Sequence, residues 1–198
     1  MTPSPESPAS AHDGSAREAS ERQVPEAAPA DDSSQRSRTL HYERPAADLT
    51  TLFSRTGLDQ LRAMADGSVP GPPISSHFDL RIVSVEDGEV VFTAEPDESH
   101  YNPIGSVHGG FFATVLDTVC GCAVHSILPA GVGYTSLEIK VSFLRAITTD
   151  TGTVTARGWV TRRGRNAAFA DGDIRDREGR VLATASSTCL VIRPDAAR

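Results

Sequence analysis

No apolar run in this chain approaches the ~20 residues that span a bilayer. The longest candidate, around residues 107–128, is interrupted by Asp117 and His125. Basic charge is also scarce. Nineteen Lys and Arg face 26 Asp and Glu, a net charge of −7, so there is no basic face for nucleic acid. The opening MTPSPESPASAHDGSAR lacks the apolar core of a secretory signal. The three cysteines (Cys120, Cys122, Cys189) cannot all pair with one another, and C-x-C is neither a zinc knuckle nor a redox C-x-x-C. No His/Asp/Glu spacing resembles a zinc or di-iron site, and no G-x-S-x-G elbow is present. These absences predict a reduced, cytoplasmic protein without a metal, nucleic-acid or membrane partner.

What is present divides unevenly. Residues 1–48 hold nine acids and five bases among Pro, Ser and Ala, with few large apolar side chains. Such a stretch cannot bury enough surface to offset its ordering entropy, so residues 1–46 read as a disordered tail. Residues 47–71 read as a short amphipathic helix and linker. Asp48 or Thr50 would cap it, Leu52, Phe53, Leu58, Leu61 and Met64 would line one face, and Gly67 would end it, with a break near Gly57.

Residues 72–194 form the main domain. Phe78–Val85 and Glu89–Glu95 alternate around Glu86-Asp87-Gly88, which reads as a hairpin. Val107–Leu128 is helical. Thr135–Leu144, Val154–Thr161, Ala167–Arg175 and Val181–Ile192 read as strands. One antiparallel sheet of about six strands beside one apolar helix is an α+β domain, with the helix as the packing partner of the sheet.

On a helical wheel Phe111, Phe112, Val115, Leu116, Val119 and Ala123 form one stripe. Asp117 lies off it, flanked by Gly110, Ala113 and Gly121. Small neighbours let a backbone or ligand approach, and a buried carboxylate needs a partner; alternatively, Asp117 is a solvated residue on an exposed face. At the helix start, Gly109 and Gly110 place backbone N–H groups at the positive end of the helix dipole, where an oxyanion would be held. They would serve equally in a tight strand-to-helix turn. Eight residues, about 12 Å of helix, separate Gly109 from Asp117. Both would have to come within ~3 Å of one reacting carbonyl. One helix cannot satisfy both demands, but two antiparallel copies can. An active pair therefore requires a dimer with two interfacial sites.

The segment N-P-x-G-x-V-H-G-G-x-x-x-x-x-L-D, Asn102 to Asp117, resembles the hotdog-fold acyl-CoA thioesterases of the phenylacetate-pathway (PaaI) type. The likeness continues through Tyr134–Arg145 and on to Cys189–Ile192. It implies a curved sheet wrapped around the long helix, and units joined into a homodimer that often pairs again as a homotetramer. The substrate would be an acyl-CoA, with coenzyme A entering only as part of it and no other cofactor.

Position by position, Asp117 matches the catalytic carboxylate, as nucleophile or as general base on water. Gly109 matches the residue whose backbone N–H polarises the thioester carbonyl, with Gly110 beside it. Asn102 matches a side chain near the thioester, and Ser136 a strand hydroxyl that orients water, with Thr135 as the alternative register. His108 belongs to the motif, either in the chemistry or in fixing the loop. Arg163 and Arg165, with Arg162 and Arg145, are candidate contacts for coenzyme A phosphates or a solvated turn. Two other readings stay open: a hotdog hydratase or dehydratase of enoyl or 3-hydroxyacyl thioesters, and a non-catalytic acyl-CoA-binding module.

Overall fold

The structure, a computed structural model, describes residues 35–44 and 54–193. Helix α1 (Gly57–Ala65) begins after Thr56, whose side chain accepts the Asp59 N–H. The expected caps Asp48 and Thr50, with Leu52 and Phe53, lie outside the described residues. A helical turn, α2 (Ser75–Phe78), follows Pro72-Pro73. The strand expected from Phe78 starts later, because Asp79 adopts a left-handed backbone (φ 47°) that stops the turn and redirects the chain. Strands β1 (Arg81–Glu86) and β2 (Glu89–Ala94) then form the hairpin, with Glu86 opposite Glu89.

Helix α3 (Gly109–Ser126) is followed by β3 (Gly133–Phe143), β4 (Val154–Arg163), β5 (Ala167–Arg175) and β6 (Val181–Ile192). All pairings are antiparallel, in the order β1-β2-β4-β5-β6-β3. The helix lies on one face of this sheet, which is the hotdog arrangement.

Period-2 burial shows which side meets α3. In β2 the buried residues are Val90, Phe92 and Ala94; in β4 they include Val154 and Ala156; in β6 they include Ala183, Ala185, Cys189 and Val191. Against them α3 presents Phe111, Phe112, Val115, Leu116, Val119 and Ala123, each no more than 3% exposed. Close contact depends on glycine in the sheet. A Cβ on Gly158 would lie 2.2 Å from the Val119 carbonyl oxygen, so the helix could not settle onto β4 with any larger residue there.

Residues 38–44, assigned to the tail on composition, belong with the domain. The Arg38 guanidinium donates to Asp79 Oδ2 at 2.8 Å and to the His77 carbonyl at 3.0 Å, and the Ser76 hydroxyl donates to the His41 carbonyl. Composition misses this because one arginine meeting one left-handed aspartate supplies the anchor. Among the described residues, no helix is long and apolar enough to cross a membrane.

Candidate active site

Asp117 sits midway along α3 and is half-buried. Its Oδ1 accepts the Ser136 hydroxyl at 2.8 Å. A bulge in β3 makes this possible: the β3–β6 register shifts between Ser136 and Glu138. Before the bulge, Tyr134 and Ser136 face the helix; after it, Ile139 and Val141 pack on the core. One extra residue therefore puts polar and apolar side chains on the same face of one strand. Thr135, the alternative register, falls on the opposite side by strand alternation.

The strip of small residues around Asp117 is filled from within the protomer at one position. Tyr134 lies against Gly121, where a Cβ would come 2.7 Å from the phenol oxygen. The close approach expected of a ligand or second backbone is made there by this ring.

At the helix start the two glycines differ. The Gly110 N–H donates to His108 Nδ1 at 2.9 Å, so His108 is the N-cap of α3. Gly110 thus has no N–H left for a ligand, which corrects the expectation of two available amides. No described residue accepts the Gly109 N–H. The Phe143 ring stands over Gly109, 3.2 Å from the position of a Cβ. Asn102 closes its own loop: Oδ1 accepts the N–H groups of Ile104 and Ser106, and Nδ2 donates to the Ser106 hydroxyl. One Nδ2 proton remains for another acceptor.

The arginines lie elsewhere. Arg163 pairs with Asp87 Oδ2 at 2.7 Å at the hairpin turn, and the Gly88 N–H there donates to Ser126 at the far end of α3. Within one protomer Arg163 is therefore separated from Gly109 by nearly the whole helix, roughly 26 Å. Arg165 is exposed in the β4–β5 turn, and Arg145 donates to the Val181 carbonyl.

None of the cysteines near Asp117 is a competing nucleophile. Burial pushes Cys120 and Cys122 up to about 12, with Asp117 adding to both, and burial also raises Cys189. They remain thiols near neutral pH.

Two cavities flank the helix. One, about 510 Å³, lies between Arg38, Leu40, α2, the Glu98–His100 turn and the start of α3. In its wall the His100 ring lies 5.2 Å from both Phe78 and Phe111. The other, about 420 Å³, is lined by Leu61, Met64, Ile82, Phe92, Thr118 and Cys122, and so reaches α3 beside Asp117. Of these walls sequence reading reached only His100, as a residue near Asn102 able to line a pocket, and it missed the roles of Tyr134 and Phe143; Gly121 and Gly109 were the signals, each marking a place where a ring comes in.

The six-stranded antiparallel sheet packed on α3 defines a hotdog-fold protein. The model of the thioesterase superfamily matches residues 104–183. The match covers 80 of the chain's 198 residues. It is 26% identical over 111 residues to acyl-coenzyme A thioesterase 13 of Homo sapiens, covering 55% of this chain and 77% of that one. A phenylacetic-acid-degradation-related protein of Ralstonia eutropha shares the fold with a TM-score of 0.60 and 29% identity, covering 65% of this chain and 97% of its own. A thioesterase protein of Streptococcus pneumoniae, crystallised with coenzyme A, gives a TM-score of 0.54 and 29% identity, covering 60% and 91%.

Proposed function

We propose that this protein hydrolyses an acyl-CoA thioester to the free acid and coenzyme A, acting as a dimer whose two sites each combine Asp117 of one protomer with the Gly109 N–H of the other. The observation that carries this reading is the placement of two unlike groups on one helix. Asp117 is held by Ser136 at mid-helix, and the unpaired Gly109 amide sits about 12 Å away at the N-terminus. Neither can serve the other's substrate within a single protomer.

The edge of the sheet supports the pairing. β3 is an 11-residue outer strand with one ladder side open, and Leu137, Phe143 and Leu144 are each more than half exposed along and just beyond it. A long edge with apolar side chains is a template for a second strand, and a twofold related β3 would satisfy it. The named activity of the human relative and the coenzyme A in the Streptococcus pneumoniae structure support the substrate class.

In the reaction, the Gly109 N–H receives the negative charge that develops on the thioester oxygen. The attacking oxygen bonds to the carbonyl carbon, the C–S bond breaks, and the departing thiolate takes the proton released from water. Asp117 either accepts that proton from water or attacks first to give an anhydride that water opens. The cavity beside Thr118 gives the acyl group an apolar space. Arg163, held by an exposed ion pair worth little and by a hydrogen bond to the Asp87 carbonyl, is able to turn towards a phosphate.

His108 argues against the hydratase reading. Its Nδ1 lone pair is engaged by the Gly110 N–H, so the neutral ring carries its proton on Nε2 and offers no base. Free-thiol release across a panel of acyl-CoAs tests the proposal. Thiol release that depends on Asp117 supports it, whereas acyl-CoA binding without thiol release favours the binding-module alternative.

A further inference from the structure

We propose that the Tyr134 hydroxyl is the third polar group of the Asp117 site and holds the hydrolytic water against the carboxylate together with Ser136. This rests on the thioesterase reading above.

Tyr134 and Ser136 are alternate residues of β3 on the side that faces α3, and the Ser136 hydroxyl already meets Asp117 Oδ1. The Tyr134 oxygen lies over Gly121, where a built Cβ would be 2.7 Å away. Gly121 follows Asp117 by one helical turn, about 6 Å along the axis. The Tyr134 hydroxyl thus stands one turn along the helix from the carboxylate, on the side that Ser136 approaches, where a water can hydrogen-bond to both.

Both ends of the gap are unengaged. No described residue hydrogen-bonds the Tyr134 hydroxyl, and none bonds Asp117 Oδ2. A half-buried phenol hydroxyl can donate to and accept from a water that reaches it. Burial, and behind it Cys122, Cys189 and Asp117, raises the Tyr134 pKa well above its usual value. The group therefore keeps its proton throughout the working range and acts as a fixed donor and acceptor. Water held there serves either route. It attacks the thioester while passing a proton to Asp117, or it opens an anhydride formed by Asp117.

A tyrosine that only fills the space over Gly121 would behave differently when its oxygen alone is removed. Tyr134→Phe keeps the ring. Its kcat for the best acyl-CoA is expected to fall about tenfold or more, with KM within about twofold and the thermal midpoint unmoved. Tyr134→Ala is expected to be similarly slow, and adding Gly121→Ser to it returns a hydroxyl from the helix side. That double variant is expected to recover kcat by about threefold or more over Tyr134→Ala.

Wild type and Asp117→Asn are measured alongside. If wild type turns over, Asp117→Asn is dead and Tyr134→Phe keeps more than half of its kcat, the Tyr134 role alone is overturned. A wild type that releases no thiol overturns the thioesterase reading and this role with it.

Discussion

The two faces of α3 are built on opposite terms. The inner face, from Phe111 to Ala123, is apolar and closed, and every residue of its stripe is buried in the core. The outer face carries Gly110, Ala113, Asp117 and Gly121, and what meets it comes from three sources: a capping histidine, strand β3 and, in the proposed dimer, a second chain. The inner face needs only to be apolar and of the right size. The outer face needs particular atoms at particular distances, so its chemistry is concentrated in very few residues.

Substitutions on the two faces should therefore separate stability from turnover. The largest effect is expected on the inner face: Leu116→Ala empties a fully buried site and should cost about 2–5 kcal/mol in chemical denaturation. Next, on the outer face, Asp117→Asn should lower kcat about 10²-fold or more while leaving Tm and oligomeric state unchanged. A variant that unfolded instead would mean that Asp117 is a structural residue and would erase the contrast.

A smaller effect is expected at the C-terminal end of the helix. Burial lowers the pKa of His125, whose Nδ1 has no partner among the described residues. Below the unfolded value of about 6.5 the unfolded chain takes up a proton that the folded chain resists, so stability is full above that pH and is lost as pH falls. Tm should decline between pH 7 and 5.5, and less steeply in His125→Asn. The smallest effect concerns the thiols. With Cys120 and Cys122 near 12, iodoacetamide at pH 7.5 should leave kcat unchanged, as a rate assay would show.

The same contrast explains what could be read from the chain alone. The stripe of α3, the hairpin at Asp87-Gly88 and the spans of β5 and β6 were legible because periodicity reports local burial against a single neighbouring layer. Asp117 stood out as a carboxylate among small residues, and Gly109 as a glycine at a helix start.

The partners of these residues were not legible in the same way. Ser136 reaches Asp117 only because a bulge resets the strand, and Tyr134 fills Gly121 across 13 residues of turn and strand. Gly110 looked equivalent to Gly109 until His108 was seen to take its N–H. Arg38 looked like part of a solvated tail because its anchor, the left-handed Asp79, lies 41 residues away. Long-range pairing decides each of these, and no local pattern encodes it.

The central claim is that one site draws on two chains, and subunit complementation tests it most directly. Gly109→Pro removes the amide hydrogen, at a helix position that tolerates proline and after a residue already extended (φ −64°, ψ 146°), and its ring asks the exposed Phe143 side chain to shift by a few tenths of an ångström. Alone it should lower kcat about 10²–10³-fold, as loss of an oxyanion donor does. Asp117→Asn and Gly109→Pro chains, unfolded and refolded together, give mixed dimers in which one of the two sites is wholly wild type. Half of randomly paired dimers are mixed, so thiol release should return to about one quarter of the wild-type rate. A mixture no more active than the two inactive proteins measured apart would contradict the account.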